Sequence, residues 1–405
     1  MHVIFLTMSN IQGLGSHGIY SDLIRKFRDE GHQVTIVTPR ERRLGEQTSF
    51  KEVDGVQILG VRTLNLQKTN AIEKGIGQVM VERLFKKAIK KHLGSFKADL
   101  ILYSTPPITF PKVIQYLKKS NPQAKTYLLL KDIFPQNAVD LGMMSKSGLK
   151  GVLYRYFRKK EKKLYALSEH IGCMSQANVQ YVLKHNPEIA TDRVEVAPNS
   201  YEVQETTVLT EEQRRLIRQK YDLPTEKPIF IYGGNLGKPQ GIPFLIKCLD
   251  ANAGREDCHF VVVGNGTEYG KLEAWFNSKR PQSVSVFQRL PKEDYDQLVR
   301  ACDVGLIFLD YRFTIPNYPS RLLPYLMEKK PIIAATDPNC DTGSIAEQNN
   351  YGFWCPSNDV EAFIQCVDKI LKSDLTLMGE KGYQFFLDNY TITHTYNAIM
   401  KHFNC

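Results

Sequence analysis

The sequence predicts an α/β protein with two domains, each built on a parallel sheet. The chain has 405 residues, which is enough for two hydrophobic cores. Short apolar runs alternate with helix-like segments from end to end, as they do in parallel sheets with helical crossovers. This alternation occurs in two sets, and the boundary between them falls within residues 199–227. A hydrophobic content of 42% fits packed domains rather than disorder.

The apolar runs predict six strands in each domain. In residues 1–200 they are HVIFL, GHQVTIVTP, ADLILYST, AKTYLLLKD, EHIGCMS and RVEVAP, with a helix at residues 21–30. In residues 201–381 they are PIFIYGG, CHFVVVGNG, VSVFQ, VGLIFLD, KPIIAATD and YGFWC. Residues 382–405 look helical and have no strand to serve, so we expect them to cross back onto the first domain.

The second domain is expected to open with a helix over residues 210–224. Thr210 is a favourable N-cap, and Gln213 stands where a capping box requires it.

Positive charge is concentrated in the first half of the chain. Residues 1–200 contain 31 Lys and Arg against 17 Asp and Glu, whereas residues 201–405 contain 22 against 26. This asymmetry predicts an anionic partner for the first domain. The eight cysteines include no C-x-x-C pair, so we expect reduced thiols and no zinc site.

Residues 13–18, GLGSHG, match the G-x-G-x-x-G pattern of dinucleotide-binding loops. The match is incomplete, because SNIQ separates the first glycine from the strand and the second strand ends at Thr38-Pro39-Arg40 without an acid for a ribose. Arg40 could hold a 2′-phosphate, which leaves an NADP-dependent oxidoreductase as an alternative. We favour a loop that closes over a substrate, since glycine backbones approach ligands closely.

Residues 229–241, IFIYGGNLGKPQG, predict a diphosphate-binding loop. A buried strand runs directly into glycines, a lysine and a helix start, at the edge where parallel strands form a crevice. Helix-start amides carry partial positive charge, and Lys238 adds a full one. The glycines of VVVGNG, residues 261–266, repeat the pattern one unit later. The alternative for both is an ordinary glycine-rich turn.

Residues 315–337 contain a proline-rich loop, a helix and a strand. Ser320 is expected to be the helix N-cap, and Arg321 would face a phosphate held in the crevice. The alternative is an exposed cap beside a solvated arginine.

These segments together resemble the retaining glycosyltransferases of family 4, and within it the bacterial branch that makes capsule, O-antigen and exopolysaccharide. The matching pieces are GLGSHGIYSDLIRKFRDEGHQVTIVTP, LLLKDIFPQNAVDLGMM, VAPNSY, IYGGNLGKPQGIPFLI, VVVGNGTE, QRLPKEDYDQLVRACDVGLIFL and YPSRLLPYLMEKKPIIA. The resemblance implies the GT-B fold, in which two Rossmann-like domains face each other across a cleft. It implies an acceptor-binding domain at residues 1–200 and a nucleotide-sugar-binding domain at residues 201–381.

The resemblance also implies roles for single residues. The donor-binding set is Gly15, Gly234, Asn235, Gly237, Lys238, Gly264, Gly266, Arg289, Leu290, Ser320, Arg321 and Leu322. The catalytic set, beside the acceptor, is His17, Lys131 and Asp132. Asp132 would orient the acceptor or act as a base, or else it caps the short turn before Pro135.

This chain departs from the family at two positions. The family usually has two glutamates eight positions apart, where Pro316 and Pro324 stand here. Contacts to the ribose must then come from elsewhere, with Asn317, Ser320 and Asp310 as candidates. A nucleotide-sugar 2-epimerase of the same fold is a second alternative.

The implied reaction moves a hexosyl or N-acetylhexosaminyl group, most simply from a UDP-sugar, with retention. No D-x-D motif stands at a strand end, so we expect no metal and no cofactor, with Lys238 and Arg321 neutralising the diphosphate.

Two basic segments, residues 80–93 and 149–168, have apolar residues at helical spacing. They predict contact with an anionic membrane and a polyprenyl-diphosphate-linked saccharide acceptor. The alternative is that their apolar faces pack on the first sheet. The start of the chain reads as a strand rather than a signal peptide, and no apolar run approaches the ~20 residues of a membrane span. We therefore expect a peripheral protein on the cytoplasmic face of the membrane. No nucleic-acid-binding pattern is found.

Overall fold

The computed structural model describes residues 1–66, 71–94, 96–204 and 208–403, without the side chains of residues 71, 72, 74, 75, 149 and 150. Two compact units divide the chain. The first comprises residues 1–202 and 391–405, and the second comprises residues 203–390. Each unit contains one sheet with helices packed against it.

An eight-stranded sheet forms the centre of the first unit, in the order β3-β4-β2-β1-β5-β6-β7-β8. Its strands are β1 (His2–Leu6), β2 (Gln33–Glu41), β3 (Ser49–Val53), β4 (Val56–Thr63), β5 (Leu100–Ser104), β6 (Lys125–Leu130), β7 (His170–Cys173) and β8 (Val194–Val196). Its first six helices are α1 (Ile19–Asp29), α2 (Ala71–His92), α3 (Pro111–Ser120), α4 (Gln136–Asp140), α5 (Gly148–Leu167) and α6 (Gln176–His185). All six predicted strands are confirmed. The hairpin of β3 and β4 was missed, and β3 is the antiparallel member of the sheet.

The second unit has a six-stranded sheet in the order β11-β10-β9-β12-β13-β14, and the ladders of the described residues are all parallel. Its strands are β9 (Ile229–Asn235), β10 (His259–Asn265), β11 (Val284–Phe287), β12 (Val304–Phe308), β13 (Ile332–Thr336) and β14 (Gly352–Pro356). Its helices are α7 (Glu211–Lys220), α8 (Ile242–Ala251), α9 (Tyr269–Lys279), α10 (Lys292–Ala301), α11 (Leu322–Met327), α12 (Thr342–Gln348), α13 (Val360–Leu371) and α14 (Leu375–Asn389). The six predicted strands are again confirmed.

The last helix, α15 (Ile392–Met400), packs in the first unit. Ile392 and Ile399 are buried in the same hydrophobic cluster as Phe27 of α1. The Tyr396 hydroxyl lies 2.9 Å from Nε2 of His32. The chain returns to the first unit at Thr391, so α14, which includes residues 382–389, remains with the second unit.

The helix predicted after the domain boundary begins as expected. Thr210 accepts from the Gln213 amide, and the Gln213 side chain accepts from the Thr210 amide, which completes the capping box. From this helix Arg218 reaches Asp303, whose Oδ2 also accepts from the Ile229 amide at 2.7 Å. Asp303 therefore fixes the start of β9, the strand that leads into the predicted diphosphate loop.

The seven cysteines that the structure describes are free and buried, and Cys405 lies outside the described residues. Among the helices of the described residues, none combines the length and the apolar character of a membrane span.

Candidate functional site

The predicted diphosphate loop lies at the topological switch point of the second sheet. β9 pairs with β10 on one side and with β12 on the other, so the chain leaves β9 and β12 in opposite directions. Ligands of open parallel sheets bind outside the carboxyl ends of the strands at such a point. In the ladder between β9 and β12, the paired residues of β9 are Phe230 and Ile231. The ladder between β9 and β10 continues to Asn235. A crevice therefore opens between β9 and β12 at residue 232.

The glycines at the ends of β9 and β10 allow two backbones to touch. Gly234 has a φ of +128°, in the region that favours glycine. A Cβ on Gly264 would lie 2.0 Å from the Gly234 carbonyl oxygen, and one on Gly266 would lie 2.4 Å from the Leu236 carbonyl oxygen. Gly264 and Gly266 are thus needed for the packing of the loop.

Side chains within the loop hold its shape. The side-chain amide of Asn235 donates to Oε1 of Gln240 at 2.8 Å, and the backbone amide of Gly237 donates to the same oxygen at 3.2 Å. Gly241, with a φ of +59°, then begins α8. Lys238 is exposed, and no carboxylate among the described residues pairs with it. The loop therefore presents one cation that is available to a ligand.

Arg321 joins the proline-rich segment to this loop. Its Nη1 donates to the Gly233 carbonyl oxygen at 2.9 Å, and its guanidinium carbon lies 4.4 Å from the centre of the Tyr232 ring. The structure therefore brings together the two segments that the sequence selected independently.

Ser320 is not the helix N-cap. α11 begins at Leu322 and is preceded by Arg321, so the prediction of the cap was wrong. Ser320 is exposed, while the Leu322 side chain is buried and its amide donates to the Pro319 carbonyl at 3.1 Å. Since this turn already uses the Leu322 amide, Arg321 is the strongest candidate of the three for contact with a phosphate.

Two tyrosines that the sequence analysis missed complete this crevice. The Tyr325 hydroxyl donates to the Ile231 carbonyl at 3.0 Å and accepts from the Gly233 amide at 3.3 Å. Tyr295 lies so close that its hydroxyl would be 1.8 Å from a Cβ on Gly233, and burial raises its pKa to about 12. The signal in the sequence was Gly305 within a buried strand, because its missing side chain makes room for the Tyr325 ring.

The remaining residues predicted to contact the nucleotide sugar lie on either side of β9. Arg289 and Leu290 follow β11, which β10 separates from β9. Asp310, which follows β12, binds Nε and Nη2 of Arg312, each at 2.8 Å. Pro316 is buried and Asn317 is half-buried in the segment that leads to α11.

In the first unit, GLGSHG follows β1 at a second switch point, between β1 and β5. Asp22 is buried and anchors this loop by accepting from the Gly18 amide and from Nη1 of Arg25. The loop lines a cavity of about 520 Å³ that includes Gly15, where a Cβ would meet open space.

His17 lies 3.4 Å from Oδ1 of Asp22 and 3.9 Å from Oε2 of Glu202. The three side chains have the spacing of metal ligands. However, Arg25 already pairs with both carboxylates, at 3.0 and 2.5 Å, and supplies the positive charge.

Arg40 does not support the dinucleotide alternative. Its side chain is buried, its Nε pairs with Glu46 at 2.9 Å, and its other nitrogens donate to Asn10 and to the Ile11 carbonyl. The proposal that Arg40 receives a 2′-phosphate is therefore wrong, because its donors serve the protein itself.

Lys131 and Asp132 follow β6 at the carboxyl edge of the first sheet. Burial lowers the pKa of Lys131 to about 7, and its Nζ donates to the Ala197 carbonyl at 3.0 Å. Burial raises the pKa of Asp132 to about 6, although its Oδ1 accepts from Asn137 at 2.7 Å. The helix that follows, α4, begins at Gln136, after Pro135, without a side-chain cap. An ionisable pair with shifted pKa values at this edge is typical of a functional site.

Comparison with known proteins relates this chain to glycosyltransferases. Residues 213–385 match the family described as Glycosyl transferases group 1. The chain is 23% identical to WbjE of Pseudomonas aeruginosa, assigned as a glycosyltransferase, over 80% of this chain and 78% of that one. It is 22% identical to WcaI of Escherichia coli K12, assigned to glycosyl transfer in colanic acid biosynthesis, over 73% and 72% of the two chains.

Solved structures share the fold over the whole chain. Sucrose-phosphate synthase of Thermosynechococcus elongatus has a TM-score of 0.76 at 14% identity, with coverage of 100% of this chain and 98% of that chain. Anabaena HepE in complex with UDP and glucose has a TM-score of 0.71 at 13% identity, with coverage of 100% and 99%. The two-domain α/β fold is thus that of GT-B glycosyltransferases.

The glycine contacts give a paired test of the loop. We expect Gly264→Ala to lower the melting temperature, because its Cβ would collide with the Gly234 carbonyl, a rigid backbone atom. Strain of ~1–3 kcal/mol is expected. Gly15→Ala should leave the melting temperature unchanged, since its Cβ meets open space. Equal melting temperatures for the two variants would contradict this account of the loop.

Proposed function

From the premise that residues 213–385 form a group 1 glycosyltransferase domain, we propose that the protein transfers a sugar from a nucleotide diphosphate sugar to a lipid-linked saccharide. The transferred group is a hexosyl or N-acetylhexosaminyl unit, the configuration is retained, and no metal takes part. The product belongs to a bacterial surface polysaccharide. The convergence of Arg321 and the Lys238 loop on one crevice carries this proposal.

The donor diphosphate binds at the switch point of the second sheet. Departure of a nucleoside diphosphate develops negative charge, which fixed cations in a water-poor crevice stabilise. Lys238 and Arg321 are the cations at the end of β9, and Tyr232 and Gly233 hold Arg321 in place. UDP is the first nucleotide to test, because HepE was solved with UDP.

The acceptor binds to the first unit. Asp132, ionised above a pH of about 6, orients the acceptor hydroxyl or takes its proton. Lys131 and the cavity beside His17 receive the rest of the acceptor, whose diphosphate suits the basic first unit. As in the retaining family that the sequence resembles, the departing diphosphate lies on the same face as the attacking hydroxyl.

Exposed apolar side chains favour a membrane-bound acceptor. On α5, Val152, Leu153 and Tyr156 are 57%, 50% and 40% exposed, whereas Phe157 is buried. The expectation that this apolar face packs fully on the sheet is therefore wrong for the first half of the helix. The side chains of Leu149 and Lys150 lie outside the described residues.

The first half of α2 is similar, with three exposed apolar side chains: Ile76, Val79 and Met80. Both helices lead into strands that run parallel to the rest of the sheet, so both begin at its carboxyl edge. Lys160 of α5 pairs with Glu82 of α2 at 3.0 Å, which joins the two helices. Exposed lysines continue along both: Lys86, Lys87, Lys90, Lys91, Lys159, Lys162 and Lys163. Apolar residues beside lysines are typical of surfaces that bind anionic lipid.

The donor site can be tested by thermal shift with UDP, GDP, CMP and dTDP. One of them should raise the melting temperature, because a ligand that binds the native state stabilises it by mass action. Lys238→Ala should remove most of this shift, and Lys247→Ala on the following helix is the control. An undiminished shift in the Lys238 variant would rule out the diphosphate assignment.

A second test uses pH. Since burial raises the pKa of Asp132 to about 6, its carboxylate form is present above that pH and is lost as the pH falls through it. The transfer rate should therefore fall below a pH of about 6, and Asp132→Asn should be slow at every pH. Asp99→Asn, before β5, should keep the normal profile. A normal profile in the Asp132 variant would exclude this residue as the orienting group or base.

A third test uses vesicles. We expect the protein to sediment with phosphatidylglycerol vesicles and less with phosphatidylcholine vesicles. Lys159→Gln and Lys163→Gln should each weaken binding about fivefold, since one basic residue contributes ~1 kcal/mol. Val152→Ser with Leu153→Ser should also weaken it. Leu216→Ser and Leu377→Ser, at positions 55% and 52% exposed in the second unit, are controls. Equal losses in the control variants would refute the lipid surface on α5.

A further inference from the structure

The segment that follows β12 exposes an aromatic ring beside a fixed arginine. Tyr311 is 52% exposed, and the Arg312 side chain is 43% exposed. Asp310 is buried, and its carboxylate accepts from Nε, Nη2 and the backbone amide of Arg312. Two hydrogen bonds therefore hold the guanidinium, which would otherwise be free to move at the surface, and a third fixes the backbone of Arg312.

This segment is attached to the loop that contains Lys238. The Asp310 amide donates to the Pro239 carbonyl at 2.9 Å. Gly241 permits the approach, since a Cβ there would lie 3.3 Å from the Asp310 α-carbon. Tyr311 and Arg312 thus follow β12 on one side of the switch point, and the loop with Lys238 follows β9 on the other. A ligand whose diphosphate binds at Lys238 would place the group attached to one end of that diphosphate beside Tyr311 and Arg312.

Arg312 keeps one edge of its guanidinium for a ligand. A guanidinium has five N–H donors, and the pair with Asp310 uses one on Nε and one on Nη2. Within the described part of the chain, Nη1 has no acceptor, so three donors remain, and two of them lie on the edge formed by Nη1 and Nη2. Such an edge fits two neighbouring oxygen atoms, and a pyranose offers these as adjacent hydroxyls.

A second arginine–aspartate pair in the same unit has the same geometry but a purely structural role. Arg255 binds Asp257 through Nε and Nη2 at 2.8 and 2.7 Å, again two residues apart. It lies at the opposite, amino edge of the sheet, before β10. Its Nη1 is occupied by Asp368 of α13 at 2.7 Å. The free edge of Arg312 is therefore not a necessary consequence of this type of pair.

We propose that Tyr311 and Arg312 form the subsite for the sugar of the donor, with Asp310 as the positioning residue. Arg312 donates to two adjacent sugar oxygens, and the Tyr311 ring packs against the C–H face of the pyranose. This inference rests on the proposed function, because it assumes that a nucleotide diphosphate sugar binds at Lys238.

The experiment compares each nucleotide with its sugar conjugates by calorimetry. The probes are UDP, UDP-glucose, UDP-galactose, UDP-N-acetylglucosamine and UDP-glucuronic acid, with the matching GDP and dTDP pairs. In the wild-type protein at least one conjugate should bind more tightly than its nucleotide. Arg312→Lys keeps the charge but loses the planar edge, so it should reduce that advantage about tenfold while the affinity for the nucleotide stays the same.

Tyr311→Ala should reduce the same advantage, and Arg255→Lys should not. Melting temperatures identify a variant that fails to fold, in which case Arg312→Gln replaces it. If the wild-type protein binds a nucleotide but the sugar adds nothing, or if the Arg312 variant keeps the advantage, the subsite is overturned. If no nucleotide binds at all, the donor site of the proposed function fails, and the subsite fails with it.

Discussion

The crevice at the end of β9 depends on side chains that take the place of β12 as hydrogen-bond partners of the β9 backbone. β12 pairs with β9 only as far as Ile231, yet the backbone of β9 continues for four more residues. Buried backbone groups that lose their ladder partners need others. Tyr325 serves the Ile231 carbonyl and the Gly233 amide, and Arg321 serves the Gly233 carbonyl. The sheet can therefore open at this point while these three backbone groups keep hydrogen-bond partners.

This arrangement gives Arg321 a structural role and leaves its charge available to the proposed ligand. Arg321 lies against the Tyr232 ring and is held by a carbonyl rather than by a carboxylate. A carboxylate would neutralise its charge, whereas a carbonyl orients the guanidinium and leaves it cationic. The same principle applies to Lys238, which no described acid neutralises. Positive charge at the crevice is thus kept for an anionic ligand.

The sequence predicted the parts of this molecule that depend on local pattern. Twelve strands were readable because parallel strands buried on both faces are continuous apolar runs. β3 was missed because its residues are mostly exposed and form no such run, and β4 was missed because Gln57, Gly60 and Arg62 interrupt its apolar residues. The sequence predicted that the loop at Gly234 and Arg321 meet at one site, but not the hydrogen bond that joins them, since a bond across 88 residues leaves no local signal. The role of Arg40 was misread for the same reason, because its partner Glu46 is identified only by the fold.

The two prolines in place of the family's glutamates follow from the same geometry. Pro324 is the third residue of α11, and the first four amides of a helix have no partner within it. A proline there removes no hydrogen bond, so the helix tolerates a proline at the position where the resembled family has a glutamate. Pro316 is buried in the preceding segment, where an unpaired carboxylate would be costly. In the segment between β12 and α11, Arg312, held by Asp310, and Arg321, held by Gly233, offer hydrogen-bond donors in fixed positions, which is the chemistry that the proposed sugar subsite uses.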